Sequence, residues 1–194
     1  MSKTTSKNLS RRSVLAGSAA ATLAAILPSA FTTSAQAGEG GKSIVIWFSR
    51  TGSVEQLAHW AVEATGADQL KLELVEPYAE SYGAMTDIAR EERRTGKRRE
   101  IRTTIPDLSG YDTIYLGSPY WWGGLSVPML TFLADHNMAG KTVKCFVVSA
   151  SSGPSGAWAD LKRLCPNATI PEGFHTTERS VSGAKAEFEA WLKK

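Results

Sequence analysis

Apolar residues follow two rhythms along this chain. Short runs with no clean alternation occur at SIVIWFS (43–49), YDTIYLGS (111–118) and KTVKCFVVSAS (141–151). Such runs predict strands buried on both faces, the signature of a parallel sheet covered by helices. Between them the spacing changes. Val54, Leu57, Ala58, Ala61 and Val62 recur as one helical face, and Gly66 follows as a stop. The pattern predicts further helices over 82–100, which is polar and fades into a charge run, and over 126–137, where Pro128 falls in the first turn. Two more follow at 154–165 and 182–194, the last with Ser182 as its expected cap and Lys193 and Lys194 at its C-terminus. DQLKLELV (68–75) alternates as a strand, and GFHTTERS (173–180) reads as a weak edge strand. Strand and helix thus alternate five times over one domain with short links and no internal repeat. The fold class is α/β, a parallel sheet with helices on both faces.

The first 37 residues follow another logic. MSKTTSKNLSRR carries Lys3, Lys7, Arg11 and Arg12 and no acid. A mildly apolar run, SVLAGSAAATLAAIL, comes next, ended by Pro28; it is shorter than the roughly 20 residues a membrane span needs. Ala35-Gln36-Ala37 has the small-x-small form of a cleavage site. This is the pattern of a secretory signal, and SRRSVLA resembles the twin-arginine type, which exports folded proteins. The expected domains are therefore a cleaved signal, 1–37, and a mature domain, 38–194, located in the periplasm or otherwise exported, with the membrane a partner only during export. Cleavage also changes the charge. The whole chain has 22 Lys and Arg against 19 acidic residues, and losing the four leading cations leaves the mature domain near neutrality. Bulk charge gives no case for nucleic acid.

In a doubly wound sheet, ligands bind beyond the C-terminal ends of the strands. Three small, polar, glycine-bearing segments fall there. SRTGSV (Ser49, Arg50, Thr51, Gly52, Ser53, Val54) joins a strand to a helix, offering backbone N–H groups and three hydroxyls to an anion. It matches neither G-x-x-x-x-G-K-[ST] nor G-x-G-x-x-G. One glycine among three hydroxyls suits a terminal monophosphate better than a bridging pyrophosphate. The second segment supplies Pro119, Tyr120, Trp121, Trp122, Gly123 and Gly124. Flat side chains stack on a planar heteroaromatic ligand, and glycines let the backbone approach its edge. One of the two tryptophans is expected to turn into the core. The third segment, with Ser149, Ser151, Ser152 and Gly153, brings donors to the polar edge of the same ring.

These residues together resemble the flavodoxins, in particular a short-chain flavodoxin-like group. The matching pieces are FSRTGSVEQLA, AREERRTGKRRE, YDTIYLGSPYWWGG, VPMLTFL, GKTV and LKRLCPNATIPEGF, across nearly the whole mature domain. The resemblance implies a three-layer α/β/α sandwich with five parallel strands in the order 2-1-3-4-5. It also implies FMN as cofactor, the first loop on its phosphate and the other two around the isoalloxazine. The implied role is electron transfer or FMN-dependent reduction of a small acceptor, with an unidentified redox partner. The alternative is a non-catalytic binding module that uses the aromatic loop for a protein partner. One departure stands out: the group's phosphate loop usually ends in Thr where this chain has Val54.

The remaining polar residues suggest less. His59, His136 and His175 are scattered without metal-ligand spacing, and no Ser-His-Asp or Cys-His constellation is visible. RRTGKRR (93–99) reads as a solvated helix end or, failing that, a docking patch. Trp158 and Trp191 hold core-like positions on helices. Cys145 and Cys165 would pair only if the export compartment oxidised them.

Overall fold

The computed structural model of the chain describes residues 41–194; the expected twin-arginine signal, 1–37, lies outside them. The elements run β1 (Ser43–Trp47), α1 (Ser53–Thr65), β2 (Asp68–Lys71), α2 (Tyr82–Thr95), β3 (Thr113–Trp121), β4 (Gly124–Leu125), α3 (Val127–Asp135), β5 (Thr142–Ser149), α4 (Ser155–Leu164) and β6 (Phe174–Thr177). A 3-10 turn, Val181–Gly183, and α5 (Lys185–Leu192) close the chain. The sheet order is β2-β1-β3-β5-β6, with the two-residue β4 attached antiparallel to β3. With β4 set aside, this is the expected 2-1-3-4-5 order, and every other pairing is parallel.

Each central strand feeds two cores, which is why its sequence does not alternate. Ile44, Ile46, Ile114, Leu116, Val143, Cys145 and Val147 join Met85, Ala89, Met129, Phe132, Ala157 and Leu161 from α2, α3 and α4. The intervening residues, Val45, Trp47, Tyr115, Phe146 and Val148, face the other way. They pack with Val54, Leu57, Ala58 and Ala61 of α1 and with Phe188, Trp191 and Leu192 of α5. Trp158 packs against the first cluster and Trp191 lies inside the second, as their spacing predicted.

Three features depart from the sequence pattern. The expected cap Ser182 lies inside the 3-10 turn, and Ala184 precedes α5 without a side-chain cap. The turn's own bonds, Gly183 N–H to Ser180 O and Ala184 N–H to Val181 O (both 3.1 Å), use donors that a cap would have served. At the other end of α5, the cation on the terminal carbonyls is the buried Lys144 of β5. Its ammonium donates to Leu192 O (2.8 Å) and lies 5.0 Å from the Trp191 ring. A positive charge is favourable at a helix C-terminus, yet burial pulls the Lys144 pKa below its ordinary value.

The arginine run is the third departure: it is largely a set of ion pairs. Arg93 bonds Asp160 (3.1 Å) and Arg94 bonds Glu91 (2.6 Å). Arg98 meets Asp135, and Arg99 bonds Glu92 (2.8 Å). Arg99 is buried and Arg93 largely so, which removes both from a solvated helix end and from a free docking patch. Cys145 and Cys165 are free thiols buried in one cluster. Burial pushes the Cys145 thiol up strongly and that of Cys165 to about 11.

Candidate functional site

The first loop is held open at a helix start. Gly52 precedes α1 with φ 91°, a conformation favouring glycine, and no side chain caps the helix. The Ser49 hydroxyl accepts the Gly52 N–H (3.1 Å), which folds the loop back on itself. The first-turn amides of α1 are thus without side-chain acceptors, and such a terminus attracts anions. Arg50 points elsewhere: its guanidinium donates to the carbonyls of Ala79 (3.2 Å) and Glu80, tying the loop to the segment before α2. Val54 is 2% exposed and belongs to the core under α1 while its edge lines the cleft.

The aromatic segment is a strand end and a tight hairpin, where the sequence pattern suggested a loop. β3 runs on through Pro119, Tyr120 and Trp121, and Tyr120 pairs with Leu125 and Trp121 with Gly124 across β4. Trp122 and Gly123 form the two-residue turn, with φ 46° and 86°. Two positive φ values define type I′, whose twist matches that of the flanking strands. A bulky residue rarely takes the first position, so Trp122 is strained there.

Its surroundings hold it. The Trp122 indole N–H donates to Thr86 O (2.8 Å), and the Arg90 guanidinium lies 4.5 Å from its ring centre. Behind the turn, Asp160 accepts the Leu125 N–H (3.0 Å), and Arg93 donates to Leu125 O (2.7 Å). Gly123 O packs against Gly156 of α4 so tightly that a Cβ on Gly156 would sit 1.7 Å from it. As the sequence anticipated, one tryptophan turns inward: Trp121 packs edge-on against Tyr78 (5.1 Å) and Phe48 (5.8 Å).

The third loop contributes differently from expectation. The Ser149 hydroxyl donates to Ser152 O (2.7 Å) and lies 2.9 Å from His175 Nε2. With its proton on Ser152, Ser149 accepts from an N–H at Nε2. The Glu178 N–H donates to Ser149 O (2.9 Å). His175 thus braces the loop. His136 is packed on Phe132 with Nδ1 2.9 Å from the Phe132 carbonyl, and His59 lies edge-on to Trp47.

One cleft gathers Ser49, Arg50, Thr51, Ser53, Val54, Pro119, Tyr120, Trp121 and Trp122. Gly52, Gly123, Gly124, Ser149, Ser151, Ser152 and Gly153 do not line it. Gly124 is buried against Asp160 and Arg93, Ser149 is spent within its own loop, and Ser151, Ser152 and Gly153 are exposed. Their places are taken by Val148, Ala150 and Glu178, and by Tyr82, Met85 and Thr86 of α2. The enclosed space is about 130 Å³, with Tyr82 (68% exposed) and Trp122 (49%) at its rim. Among the described residues no group of acids, histidines and cysteines could hold a metal ion.

Comparison with known proteins agrees with this fold. Residues 42–194 match the sequence family described as Flavodoxin. The chain is similar to a protein assigned as a flavoprotein from Bacteroides uniformis ATCC 8492, at TM-score 0.68 and 26% identity, over 80% of this chain and 100% of that one. A second such protein, from Bacteroides eggerthii DSM 20697, aligns at TM-score 0.68 and 25% identity, over 79% and 97%. The fold is shared with a flavoprotein from Lactobacillus acidophilus NCFM solved in complex with FMN, at TM-score 0.62 and 19% identity, over 74% and 98%. No curated protein matches the chain.

Proposed function

The chain belongs to the flavodoxin family, and from that premise we propose that it is an exported FMN-binding protein that carries electrons or reduces a small acceptor. The observation that carries the reading is the convergence of two chemically different loops on one cleft. Hydroxyls of Ser49, Thr51 and Ser53 stand beside an uncapped helix start, and the aromatic rings of Trp121, Trp122 and Tyr82 stand across from them.

This donor set fits a flavin mononucleotide. The loop 49–54 and the first turn of α1 would hold the phosphate by hydrogen bonds to charged oxygens, the stronger kind. Trp121, Trp122 and Tyr82 would bound the ring system, whose apolar body would also meet Met85 and Val148. Bound FMN supplies the redox chemistry; the chain supplies binding, orientation and the field around the ring. Glu178 borders the cleft, and Arg50 keeps its charge on the carbonyls before α2. Tyr82 and Trp122 stand at the rim, where they would border the exposed part of the ligand.

Titration of the mature domain with FMN and FAD tests the reading. FMN should bind tighter, with a protein-shifted visible spectrum. Tighter FAD binding would overturn the monophosphate assignment. A colourless protein that ignores both flavins would favour the non-catalytic binding module. The export half rests on Arg11, Arg12 and the Ala35-Gln36-Ala37 site. Replacing both arginines by lysine should leave the precursor in the cytoplasm.

A further inference from the structure

Behind the inward tryptophan lies a buried charge network that flavin chemistry does not call for. Glu92 of α2 is 2% exposed and Arg99 9%. Arg99 Nε donates to Glu92 Oε1 (2.8 Å), and its Nη1 donates to Glu76 O (2.7 Å). The Tyr78 hydroxyl donates to the other carboxylate oxygen, Glu92 Oε2 (2.6 Å). The Arg99 guanidinium also lies 4.0 Å from the centre of the Tyr78 ring. Burial, reinforced by Glu92, pushes the Tyr78 pKa far above its ordinary value, so the hydroxyl stays a donor.

Removing two charges from water is expensive, and apolar side chains of equal bulk often hold segments together as well or better. What apolar packing would not do is fix the rotation and tilt of one ring. Here the Tyr78 ring is held by its hydroxyl at one end and by a cation near its face. The ring then meets Trp121 edge-on at 5.1 Å and 88°. Trp121 in turn lines the cleft.

We propose that the Glu92–Arg99 pair, acting through Tyr78, is a positioning device for the Trp121 indole at the cleft wall. The pair touches no ligand; its effect on binding passes through two rings in series. Its consequence for affinity rests on the FMN reading above, while its consequence for Trp121 does not.

The test is a double-mutant cycle read by FMN titration, urea unfolding and near-ultraviolet circular dichroism. Glu92→Leu with Arg99→Met leaves the Tyr78 hydroxyl and the Glu76 carbonyl without these partners, so the urea midpoint should fall modestly. FMN binding should weaken about tenfold, a coupling of ~1.4 kcal/mol. In a Trp121→Ala background the same pair of substitutions should leave FMN affinity unchanged. Tyr78→Phe, which keeps the ring and removes its tether, should reproduce the loss, and it carries the test if the double variant fails to fold. Equal losses with and without Trp121, or unchanged affinity with Trp121 present, overturn the proposal. Should the parent itself not bind FMN, the near-ultraviolet band identified by the Trp121→Ala difference spectrum decides. It should change in the Glu92→Leu, Arg99→Met protein, and an unchanged band overturns the positioning role.

Discussion

Gly156→Ala sets two well-known effects against each other. Gly156 is the second residue of α4, with a backbone any residue can adopt. On helix propensity and chain entropy alone, alanine there should stabilise by about 0.4–1 kcal/mol. The added Cβ, however, would lie 1.7 Å from Gly123 O, 2.7 Å from Gly123 C and 3.2 Å from the Tyr120 hydroxyl. Ordinary contact requires the hairpin or the helix to retreat by roughly 1.5 Å, and the obstacle is backbone, not a flexible side chain. The hairpin cannot retreat freely, because Asp160, Arg93 and Thr86 all hold it. Overpacking of this kind costs about 1–3 kcal/mol, so the clash wins and a net loss of roughly 1–2 kcal/mol is expected. Gly83→Ala is the matched control. It is the second residue of α2, with no atom within 4 Å of the added Cβ. It should stabilise by about 0.5 kcal/mol. Urea unfolding of both variants beside the parent gives the comparison. If Gly156→Ala stabilises as much as Gly83→Ala, the close approach of hairpin and helix is wrong.

Three further outcomes are expected. Val54→Thr should tighten FMN binding by about one decade, the worth of one added hydrogen bond to a charged oxygen; an unchanged dissociation constant would mean that position 54 does not reach the phosphate. Lys144 has a folded pKa below its ordinary 10.5. Between the two values the unfolded chain binds more protons, so this group makes stability rise with pH on approaching 10.5. That rise should vanish in Lys144→Met, measured as the difference between the two proteins' urea midpoints from pH 7 to 10. Finally, native protein at pH 8 should react negligibly with thiol reagents, because both thiols are buried and pushed up; unfolded, unreduced protein should show two thiols, and none would reveal a disulfide.

The sheet was readable because double-sided burial writes unbroken apolar runs, and SIVIWFS, YDTIYLGS and KTVKCFVVSAS carry them. The cleft was partly readable, since the loop 49–54 is continuous in sequence and its hydroxyls are not needed for a core. The rest depended on partners far away in the chain. Tyr82, Met85 and Thr86 reach the cleft because Ser81, whose side chain accepts the Ala84 N–H, starts α2 there. Nothing local marks that face as a wall. Glycine-flanked tryptophans suggested a loop, whereas Trp122-Gly123 is a hairpin turn whose first residue bears a conformation that propensity argues against. The arginines of 93–99 looked solvated because their acids, Glu91 apart, lie elsewhere: Asp135 and Asp160 on other helices, Glu92 turned inward. Ser182 had the right chemistry for a cap, but the preceding turn used the position.

The strained turn also limits what the cleft rim can present. In a type I′ turn the central peptide joins the two residues of positive φ, here Trp122 and Gly123. Reversing that peptide plane converts the turn to type II′, in which the first residue must enter a region that glycine dominates. Glycine at both positions could swap freely between a carbonyl and an N–H facing a bound ring. With tryptophan first, only one orientation is accessible at modest cost. The turn's central peptide is therefore fixed in one orientation by Trp122, a residue that also lines the cleft.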